Sequence, residues 1–359
     1  MKPEPKGAPR RTVLTIEGES FLFNGRPTCE GRVWRGFPVE GLLFNARMVQ
    51  GIFDDLNPET SGRWAYPDTG GWDPERNTRE FVAAMPDWHR HGLRCVVVNL
   101  QGGSPLGYSR DQPWHNSAIR PDGTLRPNYM RRLAAVLDRA DALGMAVMLG
   151  LFYFGQDHRF ADDAAVERAC DAAVDWLVAR GDRHVLIEIA NECDNRYVRP
   201  PIQAPRIHAL IERVQRRSAS AGLPLAVSAS FCGGRLPTPE VVRASDFVLL
   251  HGNGVRDPAA MVALVRAARA MVERPPKPIL VNEDDVPWRE PSQGFGPTGN
   301  NFVAAVENRA SWGYFDFRRE GEGFDEGYQS VPVNWRISSA RKRAFFDRLA
   351  DIVGAGRTL

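Results

Sequence analysis

Cysteine is scarce in this chain, and no two cysteines are spaced to act together. Five of them, at 29, 95, 170, 193 and 232, are scattered over 359 residues. An odd, dispersed set is not a disulfide framework, and without a Cys-x-x-Cys pair nothing points to a zinc site. Long apolar runs are missing as well: none reaches the ~18 residues of a membrane span. Charge of one sign is not in excess. The 46 basic and 44 acidic residues leave a net +2, too little for an electrostatic hold on nucleic acid or a membrane surface. The opening MKPEPKGAPRR is polar and Pro-rich and contains no apolar leader core, so a cytoplasmic location is expected unless a leader was removed.

What remains is an ordinary globular composition, 43% apolar and 25% charged, in a chain long enough for two average domains or one large α/β domain. The pattern favours the second. Strand-like runs stand at 47–55, 94–100, 145–154, 184–191, 224–231, 247–253, 278–284 and 312–317. Several are nearly continuous apolar stretches, as parallel strands covered on both faces require. Helical spacing fills the gaps: Met130, Leu133, Val136 and Leu137 in 128–143, and Val166, Cys170, Val174 and Leu177 in 163–180. HGLR, LGMA, RGDRH and AGLPLA each place Gly between a helix and the next strand, where a left-handed cap belongs.

Eight strand–helix alternations predict a single (β/α)8 TIM barrel over 47–355 rather than a doubly wound open sheet. Residues 1–15 are expected to be a flexible N-terminus. Residues 16–46, with Asn24-Gly25 as a turn signal, are expected to be a β-hairpin extension packed on the barrel floor. The helix-to-strand connections are short, whereas 56–76, 101–126, 285–299 and 318–337 are long. The extra sequence therefore lies at the C-terminal ends of the strands, where barrels carry their sites.

Two of those strand ends carry acids. IEIANECDN puts Glu188 inside the fourth strand and Glu192 at its tip, and ILVNEDD puts Glu283 at the tip of the seventh. Strands four and seven stand nearly opposite, so the two tip acids face each other across the mouth. That arrangement suits glycosidic-bond cleavage, in which one carboxyl donates a proton and the other attacks or activates water. Glu188 reads as a buried support one layer down.

On these motifs the chain resembles clan A of the glycoside hydrolases, the superfamily that includes the cellulases of family five. EIANE is similar to the Glu-x-x-Asn-Glu of the cellulase-like branch, and FLFNGRPT resembles the strand pair that opens many such domains. The resemblance implies a retaining hydrolase without a metal or other cofactor, acting on a carbohydrate. It implies Glu192 as acid/base, Glu283 as nucleophile, Asn191 on the sugar 2-hydroxyl and His251 near the nucleophile. Two features depart from it. Cys193 stands where many members have Pro, and strand two offers only Arg94, set too early, with Asn99 nearer its tip.

The long loops add aromatic faces suited to sugar rings: Trp64, Tyr66 and Trp72, then Tyr108 and Trp114, then Trp288 and Trp335. Of the loop and strand-tip groups, Asn99, Trp114, Trp288, Asp54 and His158 are the expected substrate contacts. GFGPTG at 294–299 formally fits a dinucleotide fingerprint, but it neither follows a strand directly nor avoids Pro297, so no nucleotide cofactor is expected. Two other functions fit the same residues. One is a metal-dependent sugar isomerase or lyase using Glu192, His251, Glu283 and Asp284. The other is a catalytically silent sugar-binding barrel.

Overall fold

The computed structural model describes residues 10–356. The chain opens with a three-stranded antiparallel sheet, β1 (Leu14–Glu17), β2 (Ser20–Phe23) and β3 (Arg26–Pro27). The expected hairpin is thus two hairpins. Asn24-Gly25 turns β2 into β3 with both residues at positive φ, 51° and 77°, the geometry for which Asn-Gly is preferred. A second small hairpin pairs β4 (Val33–Trp34) with β5 (Phe37–Pro38). Of the stretch expected to be flexible, residues 1–9 lie outside the described residues. Arg10 pairs with Asp138 and Asp182, each at 2.7 Å, and the Thr12 amide donates to Asp141 at 2.8 Å.

Eight parallel strands follow: β6 (Asn45–Arg47), β7 (Cys95–Asn99), β8 (Ala146–Tyr153), β9 (Val185–Asn191), β10 (Ala226–Ser228), β11 (Val248–His251), β12 (Ile279–Glu283) and β13 (Gly313–Phe315). Around them lie α1 (Pro74–Arg90), α2 (Pro127–Leu143), α3 (Asp163–Arg180), α4 (Ile207–Ser220), α5 (Pro239–Ala244), α6 (Pro258–Ala270), α7 (Val286–Arg289), α8 (Asn301–Glu307) and α9 (Ala340–Val353). The strands run round the barrel in chain order. β10 to β6 form one continuous ladder that β13 extends, β11 pairs with β12, and two parallel bridges, Leu280 to Ser311 and Asp284 to Tyr314, join β12 to the β13 segment. Among the described residues no ladder joins β10 to β11. That seam is held by single backbone bonds, Asp246 N–H to Val227 O and Gly234 N–H to His251 O, both 2.9 Å.

Gly144 and Gly181 end α2 and α3 in left-handed backbone, φ 70° and 71°. Asp73, Asp162 and Asp257 start α1, α3 and α6 by accepting first-turn amides. The predicted strands two to eight coincide with β7 to β13, all of them a residue or more shorter. Strand one does not coincide with 47–55: it ends at Arg47, and Val49–Ile52 is a 3-10 turn. The apolar run there is buried under α1, with Gly51 so close to the Phe81 ring that an added Cβ would lie 2.9 Å from it.

The barrel interior changes character with height. At the floor, Phe21 of β2 packs with Leu43, Cys95, Val97, Ala146, Met148, Leu186, Phe247, Leu249 and Leu280, closing that end with apolar surface. One layer up, the buried side chains are polar: Asn45, Asn99, Glu188 and Asn282. Above them, at the C-terminal mouth, stand charged groups.

Candidate active site

Four strand ends deliver those charges. Arg47 is the last residue of β6 and is 1% exposed. Asn191 ends β9, and Glu192 follows in left-handed backbone at φ 51°. β11 and β12 slip register between Leu250 and His251, so that His251 pairs with Glu283. Such a bulge re-aims a side chain, and here it brings Glu283 level with the histidine while Asn282 stays inside.

The groups form one connected cluster. Arg47 Nε lies 2.5 Å from Glu283 Oε2 and Arg47 Nη1 3.3 Å from Glu188 Oε2. Its third nitrogen, Nη2, donates to Asn191 Oδ1. His251 Nδ1 is 3.2 Å from Glu192 Oε1 and 3.7 Å from Glu283 Oε2, and its Nε2 is 3.8 Å from Glu188 Oε1. Asn253 donates to Glu283 Oε1, and Asn195 donates to Glu192 Oε2 at 3.0 Å. The Cys232 thiol lies 3.7 Å from the same Glu192 oxygen. One oxygen of Glu192, one of Glu283 and a ring nitrogen of His251 all lie within 4.8 Å of one another.

Burial and charge compete at every one of these groups. Burial works to raise Glu188, but the Arg47 charge, His251 and the Ser230 hydroxyl hold it down at about 2. Burial works to lower His251, but Glu283, Glu188 and Glu192 push it up to about 10, so it is an imidazolium at neutral pH. Burial also raises Glu192, and there His251 and Asn195 outweigh it and draw the carboxyl below its ordinary range. Burial carries Glu283 upward, with Arg47 and His251 pulling against it and the Glu192 charge adding to it. Acids this close titrate as a pair.

Of the expected site residues, the fold brings Glu192, Glu283, Asn191 and His251 together. The others lie elsewhere. Asn99 is buried inside the barrel against Gly150, and neither atom of its amide has a hydrogen-bond partner. Trp114 is 1% exposed in an aromatic cluster with Phe53 and Trp64. Trp288 donates its indole N–H to Phe315 O at 2.7 Å, with the Arg341 guanidinium 4.0 Å from its ring centre. Asp54 faces Arg132 at 3.6 Å, and His158 is exposed on a 3-10 turn. Trp64, Tyr66 and Trp335 are buried too. These loop aromatics mainly pack the loops down on the barrel. Tyr108 is different: it is half exposed, set edge-on to Phe315 and Phe317, and within electrostatic reach of both Glu192 and Glu283.

Sequence reasoning missed Arg47, Asn195, Ser230, Cys232 and Asn253. For Arg47 a signal existed, an arginine at the end of a short strand, but it was masked by the apolar turn that follows. Cys193, the departure from the cellulase-like motif, is a buried residue whose amide donates to Ser230 O at 2.9 Å. The thiol beside the acid belongs to Cys232.

No family model and no curated protein sequence matches the chain. Its fold nevertheless matches those of glycoside hydrolases. A family 5 glycoside hydrolase from Bacteroides vulgatus ATCC 8482 aligns at TM-score 0.54 and 12% identity, over 94% of this chain and 70% of that one. A family 5 mannosidase from Rhizomucor miehei aligns at 0.55 and 14%, over 98% and 99%. A broad specificity endoglucanase from Bacteroides salanitronis aligns at 0.54 and 13%, over 88% and 93%. Sequence identity this low leaves the (β/α)8 fold as what is shared.

Proposed function

We propose that the chain is a retaining glycoside hydrolase. The observation that carries the reading is the pair of acids, Glu192 and Glu283, at the ends of β9 and β12, with oxygens within 4.8 Å of each other and of His251. Retaining enzymes hold their carboxyls about 5–5.5 Å apart, whereas inverting ones need about 6.5–9.5 Å to admit a water. In this reading Glu283 attacks the anomeric carbon while Glu192 gives its proton to the departing oxygen. Glu192 then takes a proton from water, which releases the sugar with its configuration kept.

An attacking carboxylate must be free of its proton. Both Glu283 oxygens accept from donors, Arg47 Nε on one and Asn253 Nδ2 on the other. Protonating either would turn an acceptor against a donor. Burial alone favours the neutral acid at Glu283, and the geometry of the two donors decides against it. Both Glu192 oxygens also accept in the resting site, from His251 Nδ1 at 3.2 Å and from Asn195 Nδ2 at 3.0 Å, so in this reading Glu192 takes the proton it delivers from His251 as the glycoside binds. Because Asn191 Oδ1 is taken by Arg47, its amide N–H groups are what it can offer a sugar hydroxyl.

The metal-dependent reading fares worse. Glu192, His251 and Glu283 have the spacing of a metal site. However, Arg47 already sits against Glu283, His251 carries its own proton, and Asp284 turns away to accept from Trp312 at 2.9 Å. A divalent ion would enter a space already held by two positive groups.

The test is a panel of aryl glycosides, beginning with mannosides and glucosides because a mannosidase and an endoglucanase share the fold. Glu192→Ala loses ~10²- to 10⁴-fold in kcat on substrates that need acid assistance, and Glu283→Ala loses at least as much. Azide rescues the first as a glycosyl azide of retained configuration and the second as one of inverted configuration. Wild-type rates from Glu283→Ala would defeat the reading and leave a sugar-binding barrel.

A further inference from the structure

We infer that Ser230 is the positioning residue for the acid/base: its hydroxyl, turned by Glu188, holds the backbone that aims Glu192. The inference takes the role of Glu192 from the hydrolytic reading and adds a residue that touches neither sugar nor reacting atoms.

Glu192 is a non-glycine residue at φ 51°, a conformation that persists only where surrounding structure enforces it. Ser230, just beyond β10, supplies the enforcement twice. The Glu192 N–H donates to Ser230 Oγ at 2.9 Å, and the next amide, that of Cys193, donates to Ser230 O at 2.9 Å. Two consecutive amides of the turn thus close on one residue of the neighbouring strand end.

A serine hydroxyl has one proton and two lone pairs, so its direction matters. Here the direction is set from below. Ser230 Oγ lies 2.6 Å from Glu188 Oε1, and Glu188 is an anion that can only accept. The hydroxyl proton goes to Glu188, and a lone pair is left facing the Glu192 amide. Ser230 is fully buried, so water does not compete. Glu188 also anchors Arg47 at 3.3 Å, and Arg47 grips Glu283 at 2.5 Å. One buried carboxylate therefore sets both working acids, the nucleophile through a guanidinium and the acid/base through a hydroxyl.

Removing the hydroxyl frees the Glu192 turn and leaves the Arg47–Glu283 contact in place. The defect is then confined to proton delivery, which the leaving group can report. A 2,4-dinitrophenolate departs without a proton, whereas an alkoxide does not. Ser230→Ala is expected to lower kcat/KM for an alkyl glycoside by ~10- to 100-fold, and for the dinitrophenyl glycoside of the same sugar by less than about threefold. Ser230→Thr, which keeps the hydroxyl, restores the wild-type ratio. Ser230→Cys keeps the volume with a weaker hydrogen-bonding group and moves the ratio in the same direction as alanine, should the alanine chain not fold. Equal losses on both substrates in a folded variant would overturn the inference. Amide exchange gives a readout independent of turnover: the Glu192 N–H exchanges faster in Ser230→Ala or Ser230→Cys. Unchanged exchange rejects the positioning role even in an inactive protein, while a wild type that cleaves no glycoside rejects the hydrolytic reading alone.

Discussion

At the scale of single residues, Arg47 does the most for the site and was the least visible. Its three nitrogens reach Glu283, Glu188 and Asn191, and it is almost wholly buried. Burial works against its charge, but Glu283 and Glu188 more than compensate and hold it protonated. Truncating one partner of a buried charge pair leaves the other unpaired, at a cost of about 3–5 kcal/mol. Arg47→Met should therefore lower unfolding free energy by about that much in urea titrations. Arg47→Lys keeps the charge but has one nitrogen in place of a planar fork, so it should not recover activity. If the chain is the proposed hydrolase, its loss of ~10²-fold, in contrast with that of Ser230→Ala, should fall on dinitrophenyl and alkyl glycosides alike, because Glu283, the proposed nucleophile, is misplaced. Wild-type kcat/KM in Arg47→Lys would show that charge alone suffices.

At the scale of elements, the close approach of β7 and β8 gives a packing test. A Cβ on Gly150 would lie 2.2 Å from Asn99 Oδ1. Gly150→Ala should destabilise by about 1–3 kcal/mol through overpacking. Asn99→Ala in the same chain should return much of that, with a coupling of about 1 kcal/mol or more between the two sites. Additive urea midpoints would mean that Asn99 swings clear at no cost. The same elements show what a sequence can tell. Strands β7 to β13 were legible because both their faces are covered, and that leaves runs such as CVVVN and VLIEIAN. The acids at two strand tips were legible because nothing apolar explains them. Strand one was misplaced because MVQGIF, an equally apolar run, folds as a 3-10 turn. Reading it as strand put Arg47 at the wrong end and hid the cation of the site. Asn195, Ser230 and Asn253 could not be found, since their importance comes from where neighbouring strand ends converge. The loop tryptophans read as sugar platforms because an exposed aromatic and one pinning a loop have the same letter.

At the scale of the whole molecule, the buried ionisable groups set a pH window. Glu188 is held at about 2 against an ordinary 4.5, so its contribution is complete above about 4.5 and is lost as pH falls towards 2. His251 is raised to about 10 from 6.5; its contribution is complete below 6.5 and fades as pH rises towards 10. Burial raises Asp284 to about 7, Asp285 to about 6 and Asp316 to about 6, from 3.8, so these favour the folded state below 3.8 and weaken it as pH rises through 6 and 7. The aspartates begin to withdraw their support at 3.8, before Glu188 reaches its full contribution at 4.5, so the three effects together are strongest between pH ~3.8 and 4.5. Melting temperature is expected to peak there and to fall on both sides, whereas a maximum above pH 8 would mean that the buried aspartates are paired better than their surroundings indicate.

The open seam between β10 and β11 gives the charges of the candidate site a second occupation. Where a ladder would normally stitch two neighbouring strands, the segments around this joint are riveted from above: Glu192, just beyond β9, reaches Cys232 beyond β10 and His251 on β11. His251 in turn reaches Glu283 on β12. In the proposed reading, tool and fastener are the same side chains. An alanine at Glu192 or His251 takes a rivet out of the barrel wall as well as a group out of the chemistry, so the activity of such a variant has meaning only beside its unfolding curve.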